Sequence, residues 1–252
     1  MKTTETGDRS LLCAVTRTGD GSPLYIVPSV GMTALSLISL ARSIEPPRPV
    51  HSFEFAGMED DRAPHNSVED MASAYVAEIR RQQPGGPYYI GGHCFGGCVA
   101  HDMVTKLEAL GERVVVLVLF DAIGPATADD GAGQDLPTAS EMAGHVEKAL
   151  ELLSEHTARQ FSVLPAPAVE RFEAIIRTHV DAGLRYRGAP VKARITLLRT
   201  RTHDVRTFLG WRPIGTGGFD EVEVPGATFS MLKPPHARVL GQRLSEILND
   251  LK

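Results

Sequence analysis

The sequence has 252 residues, of which 42% are hydrophobic and 23% charged, and this composition favours a single globular domain over 1–252 rather than a disordered chain. The net charge of −5, with the two signs interspersed, argues against a nucleic-acid partner and against binding to a membrane surface. The N-terminal stretch has no signal-like apolar region, and three cysteines, an odd number, favour reduced thiols, so we predict a cytoplasmic protein.

Seven short strand-like runs alternate with helical stretches along the chain. VVVLVLFD is continuously apolar and β-branched, which is typical of a central parallel strand covered on both faces. The pattern therefore predicts an α/β protein with a mostly parallel, doubly wound sheet. In chain order the runs are LLCAVT, PLYIVP, VHSFEF, PYYIGG, VVVLVLFD, ARITLLRT and FDEVEVPG.

Two helical regions can be placed between these runs. The stretch SVEDMASAYVAEIRRQQ begins with Asn66 or Ser67 as its cap, and Asp70 lies three residues after Ser67 as in a capping box. From about 125 to 190 a polar, Gly-rich loop is followed by helical periodicity without strands. We interpret this second region as a helical lid inserted between two core strands.

The motif Gly92-His93-Cys94-Phe95-Gly96 lies where a strand passes into a helix. A nucleophile on such a turn projects from the C-terminal edge of the sheet, and the glycines allow close approach of the backbone. At a helix N-terminus, unpaired N–H groups favour a thiolate, so Cys94 is the predicted nucleophile. The alternative is a small buried hydrophobe, which is our prediction for Cys98, one helical turn later.

The run GPYYIGGHCFGGCVAHDMVTKLEALGERVVVLVLFDA resembles the elbow region of thioesterases with the α/β-hydrolase fold that release chains from polyketide and nonribosomal peptide assembly lines. The likeness extends to PLYIVPSVGMTALSLISLARSI, LRYRGAPVKARITLLRT and VPGATFSMLKPPHARVLGQRL, and so to nearly the whole chain. Members usually carry serine in GxSxGG, where this chain has cysteine. The resemblance implies an α/β-hydrolase fold.

The resemblance also implies a role for individual residues. Cys94 is the acyl acceptor, and the backbone N–H groups of Phe95 and Val30 form the oxyanion hole. Asp121, at the end of LVLFD, matches the acid of the catalytic triad, and Asp204 in THDVR is the alternative acid.

The triad histidine is missing from its family position. Relatives end the triad in a segment like GxHFxML, and this chain has Thr228 where the base is expected. Threonine is not a useful base near neutral pH. His236 begins the last predicted helix and could serve instead, although a helix-start role fits it better. None of the other histidines considered clearly replaces the base; these are His93, His101, His179 and His203.

The presence of cysteine at the nucleophile position and the absence of the triad histidine are consistent with each other. A thiol is partly ionised at neutral pH whereas a hydroxyl is not, so Cys94 could exchange with a thioester without a base. Water needs a base in order to attack. We therefore predict an acyl-transfer enzyme that loads Cys94 and releases the chain to a non-water nucleophile. A stabilised carbanion would close a carbon ring, a second carrier thiol would make the protein a shuttle, and an internal amine or hydroxyl would give a lactam or lactone.

Two other functions remain open, an editing hydrolase and a catalytically decayed module that binds carriers. The resemblance implies an acyl or peptidyl carrier protein as partner and a small-molecule acyl chain as cargo, with the carrier's phosphopantetheine arm as part of the substrate. No metal or bound cofactor is predicted. Basic residues near the end of the lid could meet an acidic carrier or form a solvated face; these are Arg177, Arg185, Arg187, Lys192 and Arg194.

Overall fold

The computed structural model describes residues 10–58, 62–127, 166–202, 208 and 210–251. The strands of the main sheet in these ranges are Leu12–Thr16 (β1), Leu24–Val27 (β2), Val50–Phe53 (β3), Tyr88–His93 (β4), Val114–Phe120 (β5), Arg194–Arg199 (β8) and Phe219–Glu223 (β9). A separate pair consists of Ala126–Thr127 (β6) and Arg187–Gly188 (β7). Each of the seven predicted strands is confirmed by a strand of the main sheet.

The main sheet has the order β1-β3-β2-β4-β5-β8-β9. β1 is antiparallel to β3, and the other neighbouring pairs are parallel. The carboxyl ends of β2, β4, β5 and β8 therefore meet at one edge of the sheet, which is where ligands bind in open parallel sheets.

Helices cover both faces of the sheet. They are Ile38–Ala41 (α1, after a 3-10 turn at Ala34–Leu37), Val68–Gln82 (α2), Gly96–Ala109 (α3), Ala166–Arg185 (α4) and His236–Asp250 (α5). Along β5, Leu117 and Leu119 pack with residues of α2 and α3, whereas Val116 and Val118 pack with residues of α1 and α5. The central strand is buried on both sides, which confirms the predicted doubly wound α/β sheet. None of the described helices is both long enough and apolar enough to cross a membrane.

Helix α2 begins as its sequence predicts. The side chain of Ser67 accepts a hydrogen bond of 3.0 Å from the backbone N–H of Asp70. This bond satisfies one of the donors that a helix N-terminus leaves unpaired. The cap therefore fixes the start of α2 against the sheet.

The predicted lid can be followed at its two ends only, because residues 128–165 lie outside the described ranges. Its last part is helical as predicted, forming α4. At the base of the lid, in segments that the sequence assigned to neither helix nor strand, β6 pairs with β7. The two ends of the insertion meet where they join the core, and Gly188 permits this approach because a Cβ there would lie 2.7 Å from the ring of Pro125.

Candidate active site

The turn at Cys94 is the sharp strand-to-helix turn that the motif predicts. Cys94 follows β4 directly and has a φ of 51°, in the left-handed region that side chains rarely occupy. A side chain at Gly92 would overlap the carbonyl of Gly96, and one at Gly96 would overlap the carbonyl of Val27. Glycine is therefore required at both positions, and the elbow is locked against β2.

Strand register brings the nucleophile and the acid together. His93 pairs with Phe120, so Cys94 and Asp121 are the next residues on adjacent parallel strands. The backbone N–H of Cys94 donates to the carbonyl of Phe120 at 2.9 Å. Asp121 also has a positive φ, of 48°, and is completely buried. Two strained residues at neighbouring strand ends are typical of a functional site.

The thiol of Cys94 is not the primed thiolate that the helix N-terminus predicts. Burial raises its pKa, and the carboxylate of Asp121 adds to the increase. The hydroxyl of Ser29 and the backbone N–H of Phe95 act in the opposite direction. Desolvation is the largest of these effects, so the net pKa lies above the ordinary thiol value. Desolvation therefore outweighs the effect of the helix N-terminus on this thiol, although the residue as a whole is partly exposed.

Asp121 bonds to Thr228, the residue at the family's histidine position. The Thr228 hydroxyl donates to Oδ2 of Asp121 at 2.5 Å. Oδ1 accepts from the backbone N–H of Thr200 at 2.7 Å, and the Thr200 hydroxyl lies 3.1 Å from each carboxylate oxygen. At the position where relatives carry the triad histidine, it is therefore the hydroxyl of Thr228 that contacts this acid.

His93 lies beneath the segment that carries Thr228. It is completely buried, and its Nε2 lies 2.7 Å from the backbone carbonyl of Thr228. Because a carbonyl only accepts, Nε2 carries the proton and Nδ1 does not. Burial lowers the pKa of the ring, which stays neutral near pH 7. His93 therefore supports the Thr228 segment from below.

The remaining histidines occupy different places. His236 is the first residue of α5, and its ring would be 3.1 Å from a Cβ at Gly226, so it contacts the turn before Thr228. His101, on α3, is completely buried and bonds to the hydroxyl of Tyr186 at 2.7 Å. His203, together with the alternative acid Asp204, lies outside the described residues.

Helix α4 covers the elbow from the lid side. His179 stacks on Phe95 with the ring centroids 5.7 Å apart and the planes almost parallel. Val30, one of the two expected oxyanion residues, is buried with Phe172 and Ile176 of α4, and Phe95 packs against this cluster. Burial lowers the pKa of His179 to about 4, so its ring is neutral near pH 7. The two backbone segments expected to form the oxyanion hole are therefore held by the lid as well as the core.

Several basic residues near the lid end already have partners. Arg177 pairs with Glu173 at 3.9 Å and Arg185 with Asp181 at 3.1 Å, both in exposed positions on α4. Arg194 pairs with Asp220. Exposed pairs of this kind exchange partners at little cost, so a carrier-binding role for them stays a prediction.

Sequence reasoning missed two residues of the site, Ser29 and Thr200. Both follow the ends of strands adjacent to those carrying Cys94 and Asp121. Strand register would have identified them, since polar residues just after neighbouring parallel strands meet at one edge. The sequence alone did not supply the strand order.

Known proteins resemble this chain in sequence and in fold. The family model described as "Thioesterase domain" matches residues 22–246. Among curated proteins, malpibaldin synthetase of Mortierella alpina is 35% identical over 118 residues, which cover 47% of this chain and 2% of that protein. An atromentin synthetase of Paxillus involutus is 35% identical over 113 residues, 44% of this chain and 12% of that protein. The chain therefore spans a small part of these relatives.

Solved structures share the fold over almost the full chain. The Vlm2 thioesterase domain bound with a dodecadepsipeptide has a TM-score of 0.74 at 24% identity, covering 94% of this chain and 96% of that one. The NocB thioesterase domain from the nocardicin cluster has a TM-score of 0.74 at 21% identity, covering 96% and 100%. A four-domain nonribosomal peptide synthetase has a TM-score of 0.75 at 20% identity, covering 94% of this chain and 20% of that one.

Proposed function

Because this chain belongs to the thioesterase-domain family, we propose that it is an acyl-transfer enzyme that takes its cargo from a carrier protein. The cargo is a polyketide or peptide acyl chain held as a phosphopantetheine thioester. The curated relatives are named as synthetases, and thioesterase domains of similar fold occur in nonribosomal peptide synthetases, which supports this class of substrate. The pantetheine arm arrives with the carrier and leaves with it.

Loading is a thiol-for-thiol exchange. The sulfur of Cys94 attacks the thioester carbonyl, and the backbone N–H groups of Phe95 and Val30 are the proposed donors to the oxyanion. The carbon–sulfur bond to pantetheine then breaks. The proton lost from Cys94 is balanced by the proton that the departing pantetheine sulfur takes up, so the net change is one thioester for another. The raised pKa of Cys94 makes this step slower than an activated thiolate would, but a thiol remains far easier to ionise than a serine hydroxyl.

The hydrogen bond between Thr228 and Asp121 carries the proposal for release. An acid is present and oriented, but the group it holds is a hydroxyl that cannot accept a proton from water near neutral pH. Acceptors that are already nucleophilic avoid this difficulty. The activated methylene of the bound chain loses a proton to solvent, and the resulting carbanion attacks the acyl carbon to close a ring. The carbon–sulfur bond to Cys94 then breaks, and the departing sulfur takes up a proton to return the thiol. Ring closure is the outcome we propose first, and transfer to another carrier thiol or to an internal amine would use the same loaded intermediate. An internal hydroxyl would use it too, but it needs a base as water does and is the least favoured of these acceptors.

The test combines product analysis with intact-mass measurement. A synthetic acyl-pantetheine that bears an activated methylene is incubated with the protein, and cyclised and hydrolysed products are quantified. We expect an acyl adduct on the wild type, none on Cys94→Ala, and more cyclised than hydrolysed product. A dominant hydrolysed product that requires Cys94 would show an editing hydrolase instead.

A second candidate is a module that binds carriers without catalysis. The raised pKa of the buried Cys94 thiol favours it, because a protonated thiol is a poor nucleophile. This candidate predicts carrier binding without any adduct on Cys94. Titration of an acylated carrier protein, followed by mass measurement of the same samples, separates the two functions.

A further inference from the structure

Ser29 occupies the strand end beside the nucleophile. β2 and β4 run parallel, and Val27 pairs with Gly92. Ser29 is two residues beyond Val27, as Cys94 is two residues beyond Gly92. The loop that follows β2 is pressed against the elbow, because a Cβ on Gly96 would lie 2.5 Å from the carbonyl of Pro28. Register and contact therefore place Ser29 next to Cys94.

The hydroxyl of Ser29 is buried without a conventional partner. The residue has no exposed surface, and its Oγ makes no hydrogen bond of good geometry to any described residue. Its backbone carbonyl accepts from the N–H of Met32 at 3.0 Å, so the turn that carries it is fixed. Buried hydroxyls normally have a partner, because an unpaired one loses its hydrogen bonds to water. Within the described part of the chain, this hydroxyl beside the nucleophile is therefore available to a negative charge that forms during the reaction.

We propose that Ser29 is a further catalytic residue, whose hydroxyl donates a hydrogen bond to the sulfur of Cys94 as negative charge develops on it. This inference rests on the proposed function in assigning that charge to acyl transfer. The Ser29 proton stays on its own oxygen throughout. The proton of Cys94 leaves to solvent and the pantetheine sulfur takes one up, so the balance of the loading step is unchanged. Ser29 thus supplies part of the stabilisation that a protonated histidine gives in an ordinary triad.

The electrostatics of the thiol agree with this geometry. Ser29 lowers the pKa of Cys94, and it does so more strongly than the N–H of Phe95. The carboxylate of Asp121, on β5, acts in the opposite direction. The other titratable groups nearby are the thiol of Cys98 on α3, the neutral ring of His93 on β4, and His179 on α4, which stacks on Phe95. Of the described side chains that act on the pKa of Cys94, the Ser29 hydroxyl is the one that favours the thiolate.

The pH dependence of Cys94 alkylation tests the proposal directly. Iodoacetamide is applied across a pH series, and modification of Cys94 is followed by peptide mass spectrometry so that Cys13 and Cys98 do not interfere. Ser29→Ala should move the profile to higher pH and slow alkylation at neutral pH about tenfold, since a hydrogen bond to a charged group contributes on this scale. Ser29→Thr, which keeps a hydroxyl, should restore most of the rate.

Ser52 provides a matched control. It is also completely buried, and its hydroxyl donates to the carbonyl of Ile26 at 2.8 Å, away from the thiol. Ser52→Ala should leave the alkylation profile unchanged. If Ser29→Ala does not fold, Ser29→Gly removes the same hydroxyl with a smaller side chain and is measured in its place.

The outcomes separate this inference from the proposed function. An alkylation profile of Ser29→Ala identical to that of the wild type overturns the role of Ser29, whether or not Cys94 accepts acyl groups. A shifted profile in a protein that takes no acyl group from any carrier or acyl-pantetheine supports the contact with sulfur and overturns the proposed function. A shifted profile together with slower acylation supports both.

Discussion

Replacing Thr228 by histidine should convert the site toward hydrolysis. The Thr228 hydroxyl already lies 2.5 Å from Oδ2 of Asp121, and the backbone of this segment is held from below by His93 at 2.7 Å. An imidazole in that place could bond to the same carboxylate oxygen through one nitrogen and face the acyl group with the other. General-base catalysis contributes roughly 10²–10⁴ in rate, equivalent to about 2.7–5.4 kcal/mol of activation free energy.

The substitution also has a structural cost. Thr228 is 4% exposed, so a larger ring must displace neighbouring atoms, at about 1–3 kcal/mol of folding stability. The assay is single-turnover: the enzyme is loaded with a short acyl-pantetheine, and loss of the acyl adduct is followed by intact mass. We expect Thr228→His to lose its adduct to water at least about a hundredfold faster than the wild type.

Two controls give this comparison its meaning. Thr228→Val keeps the shape of threonine without any proton-accepting group and should hydrolyse no faster than the wild type. Cys94→Ala combined with Thr228→His should form no adduct. If Thr228→His folds, loads Cys94 and still hydrolyses at the wild-type rate, then absence of the histidine does not limit water attack, and the argument for non-water release is refuted.

Three further outcomes follow from the site and the elbow. The rate of Cys94 acylation, followed by intact mass, should increase about tenfold per pH unit below the thiol pKa. Because that pKa is raised, the rate should level off at a higher pH than for an ordinary thiol. A rate that already levels off near neutral pH would contradict the burial argument. Gly96→Ala should lower the free energy of unfolding, measured by urea titration, by about 3 kcal/mol or more. Gly85→Ala is the control and should have little effect, because no atom lies within 4 Å of the new Cβ. Similar losses of stability in both variants would contradict a specific backbone contact at Gly96. Thr200→Val removes a side-chain donor to the buried carboxylate of Asp121 and should lower the free energy of unfolding by about 1.5–3 kcal/mol. An unchanged free energy of unfolding would contradict this role of Thr200.

The features that local sequence encodes were predictable. Continuous apolar runs identified the strands, including both faces of β5, and glycines spaced around Cys94 identified the elbow because only glycine tolerates those backbone contacts. The assignment of Asp121 as the acid came from the resemblance to thioesterases that carry it directly after this strand. Each of these features depends on a few residues that are adjacent in the sequence, so it can be predicted without knowledge of the fold.

The features that depend on three-dimensional surroundings were not predictable. The pKa of Cys94 is set by how deeply the sulfur is enclosed, and the helix N-terminus predicted the wrong direction because it accounts for dipoles and not for desolvation. Ser29 and Thr200 come to the site through strand order, which composition does not reveal. The bond from Thr228 to Asp121 joins residues distant in sequence, and only the fold shows that threonine takes over the contact of the missing base.

The hydrogen bonds at the strand ends have a consequence for how this scaffold can diversify. The carbonyl of Leu198 holds the N–H of Asp121, and the carbonyl of Phe120 holds the N–H of Cys94, each at 2.9 Å. Main-chain hydrogen bonds thus hold the two strand ends that carry Cys94 and Asp121 in place. Under the proposed function, replacing a serine hydroxyl by a thiol at position 94, or an imidazole by a hydroxyl at position 228, would change how an acyl chain is released and leave these main-chain bonds in place.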